Sequence, residues 1–131
     1  MEKCYHMTDA EFEEFLASIG GLENGFYADR SPILSAGFFA VSSGWNGLIK
    51  ELIEDIVVIG WDKQVCQVKE KFGGLRFYIN SASKEVHDRI SEAENLSYSV
   101  CEICGNPGEL RSDRRWMLTL CDTHNEEPKK D

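Results

Sequence analysis

C-E-I-C-G-N-P-G-E-L-R-S-D-R-R-W-M-L-T-L-C-D-T-H, residues 101–124, holds a C-x-x-C pair and a C-x-x-H pair. Cys101, Cys104, Cys121 and His124 are thiolate and imidazole donors, the types that suit Zn²⁺ at tetrahedral corners. Two residues between the donors of a pair let the chain curl back so that both face one ion. Gly105 follows the first pair, where such a knuckle needs a residue tolerant of left-handed φ. The pattern predicts a structural zinc, because four protein donors close the site, whereas a catalytic zinc keeps one position open. Between the pairs, Glu109–Ser112 and Trp116–Leu120 read as a short hairpin, giving a zinc-ribbon or treble-clef-like knuckle pair at the C-terminus.

Upstream, residues 65–80 read as a larger β-hairpin folded on Gly73-Gly74, a turn able to supply positive φ. In that register Lys71 faces Arg76, Glu70 faces Phe77 and Lys69 faces Tyr78. Val68, Phe72, Leu75, Phe77 and Ile79 share one side. Glu70 falls on the same side, so it has a partner, sits at the rim, or marks a wrong register. The opposite side collects Lys69, Lys71, Arg76 and Tyr78, flanked by Gln67 and Asn80. Opposed like charges destabilise a hairpin unless an anion lies nearby. That anion is either one of the chain's own carboxylates or an external phosphate, nucleic-acid backbone or partner carboxylate. Arg111, Arg114 and Arg115 invite the same two readings.

Three helices are expected. Thr8-Asp9-Ala10-Glu11 is a capping box, followed by Phe12, Phe15, Leu16 and Ile19 on one face and stopped by Gly20-Gly21. Ser42-Ser43-Gly44 opens a second helix striped by Trp45, Leu48, Ile49, Leu52, Ile53 and Ile56 and ending before Gly60. A third spans about 84–97, with Val86, Ile90, Ala93 and Leu96 or Ser97 inward. Phe38 to Val41 reads as a short strand. The fold class is therefore α+β, helices on a small antiparallel sheet. Residues 1–98 form the body, 99–125 a zinc module with no Pro/Gly-rich linker before it and so packed on that body, and 126–131 a disordered tail.

The chain has 131 residues and a formal net charge of −9, of which residues 1–60 carry −7 through ten acids against Lys3, Arg30 and Lys50. That sign disfavours nucleic acid as a partner, since phosphate neutralisation supplies most of such affinity. It suits solvation or a protein partner with a basic surface. The N-terminus has no apolar run and Ile56–Ile59 is far too short to span a bilayer, so a cytoplasmic protein without membrane contact is expected. Five cysteines then fit metal binding better than disulfides. Cys66 reads as a small buried hydrophobe, and Cys4 with His6 as an incidental pair.

Enzymatic motifs are missing. The zinc-deaminase pattern needs H-x-E, and His87 is followed by Asp88-Arg89. No Walker loop, G-x-S-x-G, H-E-x-x-H or G-x-G-x-x-G occurs. A non-catalytic protein is expected.

From Ser43 to His124 the chain resembles a set of small, largely uncharacterised bacterial and phage- or prophage-encoded zinc-knuckle proteins. The resemblance lies in S-G-W-N-G-L-I (43–49), Q-V-K-E-K-F-G-G-L-R-F-Y-I (67–79), C-E-I-C-G-N-P-G (101–108) and W-M-L-T-L-C-D-T-H (116–124). It implies a bacterial or phage cytoplasmic protein with bound zinc, and an origin and fold more than an activity. Two function classes follow: a binding protein, in its concrete form a phage-type inhibitor of a host nuclease or defence complex, and a nucleic-acid-associated regulator using the cationic hairpin face.

Overall fold

The computed structural model describes residues 3–25 and 31–126. The expected tail lies largely outside them. Helix α1, Asp9–Ile19, starts on the Thr8–Glu11 capping box, both halves of which form, and ends at Gly20 with φ +65°. Helix α2, Asn46–Ile59, follows a 3₁₀ turn at Ser43–Trp45 and stops at left-handed Gly60. Its stripe of Leu48, Ile49, Leu52, Ile53 and Ile56, with Trp45 before it, is at most 1% exposed. Helix α3, Lys84–Ser97, begins at Ser83, whose hydroxyl accepts from the Val86 N–H. Ser97 rather than Leu96 is its last inward residue. A short α4, Asp122–Asn125, closes the described chain.

The main sheet is mixed. Strand β3, Gln64–Lys71, pairs antiparallel with β4, Gly74–Ile79, while β1 (Glu23–Asn24) and β2 (Phe39–Ala40) join β3 in parallel. The expected strand at residues 38–41 forms as β2, while β1 and both parallel pairings carry no alternation from which to read them. Helix α2 packs on α1 and α3, and α3 lies against β4. Two α3 side chains also close the outer edge of β4: Ser97 Oγ accepts from Leu75 N–H and Glu94 from Phe77 N–H, both at 2.9 Å. Strand donors that would otherwise offer a template to another chain are thereby satisfied. No helix among the described residues is long and apolar enough to cross a membrane.

The hairpin turn is Phe72-Gly73, not Gly73-Gly74, with φ +54° and +83°, and Lys71 pairs with Gly74. Gly74 is held in the strand because Tyr98 packs where its Cβ would stand. Phe72 apart, the slip leaves the strand side chains on their expected faces but changes their neighbours: Val68 faces Phe77, Lys69 faces Arg76 and Glu70 faces Leu75. Glu70 finds its partner locally, accepting from Gly73 N–H at 2.7 Å. Phe72 leaves the core for the turn, where it is 61% exposed. Cys66 is no buried hydrophobe either; it sits half-buried at a bulge between Val65 and Gln67, its thiol donating to Asn80 Oδ1 at 3.2 Å.

A bulky residue at positive φ is strained, whereas Asn before Gly is the favoured pair for this turn. Phe72→Asn should raise stability by about 1 kcal/mol in urea unfolding. A lower midpoint would mean that the ring's own contacts outweigh the strain.

Candidate metal centre

Three local structures bring the four donors together. Cys101 and Cys104 bracket a turn in which Gly105 N–H returns to Cys101 O and Cys101 N–H reaches Asn106 O, each at 2.8 Å. Gly105 adopts φ +76°, as its position requires. Strands β5 (Glu109–Arg111) and β6 (Leu118–Leu120) form the hairpin between the pairs, shorter than expected, with Trp116 outside it. The second pair is not a second knuckle: Cys121 is the N-cap of α4 and His124 lies in its only turn. Knuckle, hairpin and helix make a treble-clef-like path.

The donor atoms all lie within 4.8 Å of one another, and the cluster could hold a metal ion. Cys104 Sγ is 3.8 Å from Cys121 Sγ, and His124 Nδ1 is 3.6 Å from Cys101 Sγ and 3.2 Å from Cys121 Sγ. Cys101 is fully buried and the other three half-buried. Burial pushes the Cys104 thiol up to about 11, with the neighbouring sulfurs adding to it. Burial also pulls Cys121 upward, but hydrogen bonds from the His124 backbone and ring and the adjacent thiols outweigh it and bring the group down to about 7. Cys121 is therefore more readily deprotonated than Cys104, and the deprotonated form is the one in which sulfur binds metal.

The cluster is tied to the helices and the main sheet by backbone. Gly44 N–H donates to Glu102 O and Tyr5 N–H to Gly105 O, at 2.9 and 2.8 Å. Trp45 Nε1 donates to Val100 O at 2.8 Å, and Thr119 Oγ1 to Gly73 O at 2.6 Å. Neither Gly44 nor Gly105 has room for a Cβ: Cys101 O and Glu102 crowd the first, Tyr5 and His6 the second. Cys4 and His6 remain exposed beside the knuckle, Cys4 Sγ donating to Cys104 O at 3.4 Å. No spacing rule would have signalled that approach.

Glu102, inside the first pair, was not singled out by sequence because a lone Glu between cysteines carries no pattern. It is 6% exposed, and its carboxylate accepts from Thr119 N–H at 3.3 Å. Burial raises its carboxyl to about 7.

The hairpin residues stand apart from the metal donors. Lys69 lies 5.8 Å from the Tyr78 ring and Lys71 5.6 Å from the Phe72 ring. Arg76 donates to Tyr98 Oη at 3.1 Å, which with the nearby Tyr98 and Glu94 holds its guanidinium above the usual value. Arg111, by contrast, pairs with Asp122 at 2.8 Å and Glu109 at 3.4 Å, and Arg114 donates to Asn125. Compared with family models, curated proteins and solved structures, the chain matches none.

Two outcomes follow. Cys101→Ser or Cys121→Ser should abolish stoichiometric metal binding and cost about 3 kcal/mol or more, measured by metal analysis and denaturant unfolding; unchanged metal content and melting would remove the metal centre. Because folding favours the neutral Glu102 carboxyl, its stabilising effect is full below the unfolded value near 4.5 and is lost as pH rises through about 7. Glu102→Gln keeps the acceptor, so its stability relative to the parent should improve by on the order of 2 kcal/mol between about pH 5 and pH 8. A pH-independent difference would show that Glu102 is ionised in the fold at little cost.

Proposed function

We propose that the chain is a non-catalytic protein that carries one structural zinc and acts by binding another protein. The closed donor set carries this reading. A tetrahedral zinc with Zn–S of about 2.3 Å and Zn–N of about 2.0 Å spaces sulfurs by ~3.8 Å and sulfur from nitrogen by ~3.5 Å. The Cys104–Cys121 separation of 3.8 Å and the Cys101–His124 separation of 3.6 Å fit that tetrahedron, and the Cys121–His124 separation of 3.2 Å falls slightly short of it. Three cysteines and one histidine favour zinc over harder cations. With four corners filled by protein, the ion's part is to hold the fold.

A phage-type inhibitor of a host nuclease or defence complex is the specific form of this reading that the acidic charge of residues 1–60 motivates. In one version the acidic half imitates nucleic acid toward a basic groove of the host protein, which needs free carboxylates there. Six of those acids are engaged within the chain: Glu11 with Thr8, Asp9 with Asn46, Glu13 with Ala36 N–H, Glu51 with Lys3, Glu54 with Lys50 and Asp55 with Arg89. The remaining described ones are Glu14 and Glu23, so the support for a basic partner from this half is thin, and the binding surface is better sought elsewhere.

The second reading, a nucleic-acid-associated regulator, draws on Lys69, Lys71, Arg76 and Tyr78. None of the three cations forms an ion pair among the described residues, although five others do. Protein purified from bacterial cytoplasm should contain about one zinc per chain and retain a stoichiometric protein partner after nuclease treatment. Nucleic acid recovered only without nuclease, and no protein, would transfer the assignment to the regulator.

A further inference from the structure

The tips of the two hairpins meet, and the surface there is built differently from the rest of the molecule. Two adjoining concavities, a shallow open one of about 540 Å³ and a more enclosed one of about 380 Å³, share Phe72 and Met117 as walls. Arg76, Tyr98 and Leu110 complete the first; Glu70, Trp116 and Leu118 complete the second. Phe72 is 61% exposed, Leu110 39% and Trp116 65%. Scattered single apolar residues need no explanation, but a contiguous group around two hollows marks an interaction site.

Three observations carry the patch beyond exposure. Phe72 occupies a left-handed φ of +54°, a conformation a bulky residue adopts only when the surroundings impose it. The result is an aromatic ring held outward at the tip. The tip is rigid, since Leu110 fills the space beside Gly73, Tyr98 fills that beside Gly74, and Thr119 Oγ1 bonds Gly73 O. A preformed hollow costs little ordering on binding. Finally, Lys69, Lys71 and Arg76 stand on the strands leading to the tip, Lys69 and Arg76 directly opposed and none of the three in an ion pair among the described residues.

We infer that this surface binds an acidic segment of a partner protein, its aromatic or aliphatic side chains entering the hollows beside Phe72 and Met117 and its carboxylates meeting Lys69, Lys71 and Arg76. The inference rests on the protein-binding reading and locates its interface. A nucleic-acid strand fits less well. Affinity for phosphates grows with the number neutralised, and three cations on a chain of net charge −9 provide few. A short segment with two or three carboxylates and apolar anchors meets both halves of the patch.

The test is selection of a random twelve-residue peptide library on the metal-loaded full chain, followed by fluorescence anisotropy of the winning peptides. The parent is compared with Phe72→Asn, which removes the ring while suiting the turn, and with the pair Lys69→Glu, Lys71→Glu. Lys84→Glu, an exposed cation at the far end of α3 from Tyr98, serves as the control. The expected winners are acidic and carry at least one aromatic or large aliphatic residue. Both tip variants should weaken them about tenfold or more, and the control should not. Peptides without acidic bias, or insensitive to the tip variants, overturn this surface and leave protein binding standing. An oligo-dT strand that binds at the tip more tightly than any peptide, or a selection that enriches nothing, overturns both.

Discussion

Closure of four donors from two short segments is the constraint on which the C-terminal third depends. Without it, a β-hairpin of two three-residue strands and a single helical turn have no core of their own, and elements of that size are unstable in isolation. With it, the knuckle carbonyls of Glu102 and Gly105 are fixed as acceptors for Gly44 and Tyr5. The Thr119 hydroxyl is fixed as a donor to Gly73. The centre thus stitches three distant stretches, the N-terminal segment, the start of α2 and the tip of the main hairpin, to one rigid point.

On the proposed function, that arrangement would link the donor cluster to the tip surface without chemistry at a metal. The walls of the tip hollows come from both hairpins, Phe72 and Arg76 from one, Leu110 and Met117 from the other. Only a fixed relation between the two keeps the hollows open. Glu102 adds tension at the same junction, a carboxyl buried between two donors and bonded to Thr119 N–H. Its neutral form is the compatible one.

Much of this was legible from residues alone, for reasons that differ by element. The α1 capping box and the α2 stripe are strong local signals in which every residue agrees, and both formed at the positions they indicated. The donor set was legible because ligand chemistry and spacing are local too. The hairpin was legible as an element but not in register. Gly-Gly is the better turn by intrinsic preference, and tertiary packing of Tyr98 and Leu110 around Gly74 and Gly73 moved the turn to Phe72-Gly73. The hollows were not legible at all, because they join residues far apart in sequence. The parallel pairings of β1 and β2 escaped for a different reason: two residues carry no period.

Amide hydrogen exchange of the full chain with zinc bound and after chelation tests the central claim most directly. Removing the metal should strip protection from the amides of Tyr5, Gly44, Glu102 and Gly105, while those of α1 and the middle of α2 keep theirs. Protection at those four positions that survives chelation unchanged would show that the junction holds without the metal, contradicting the account.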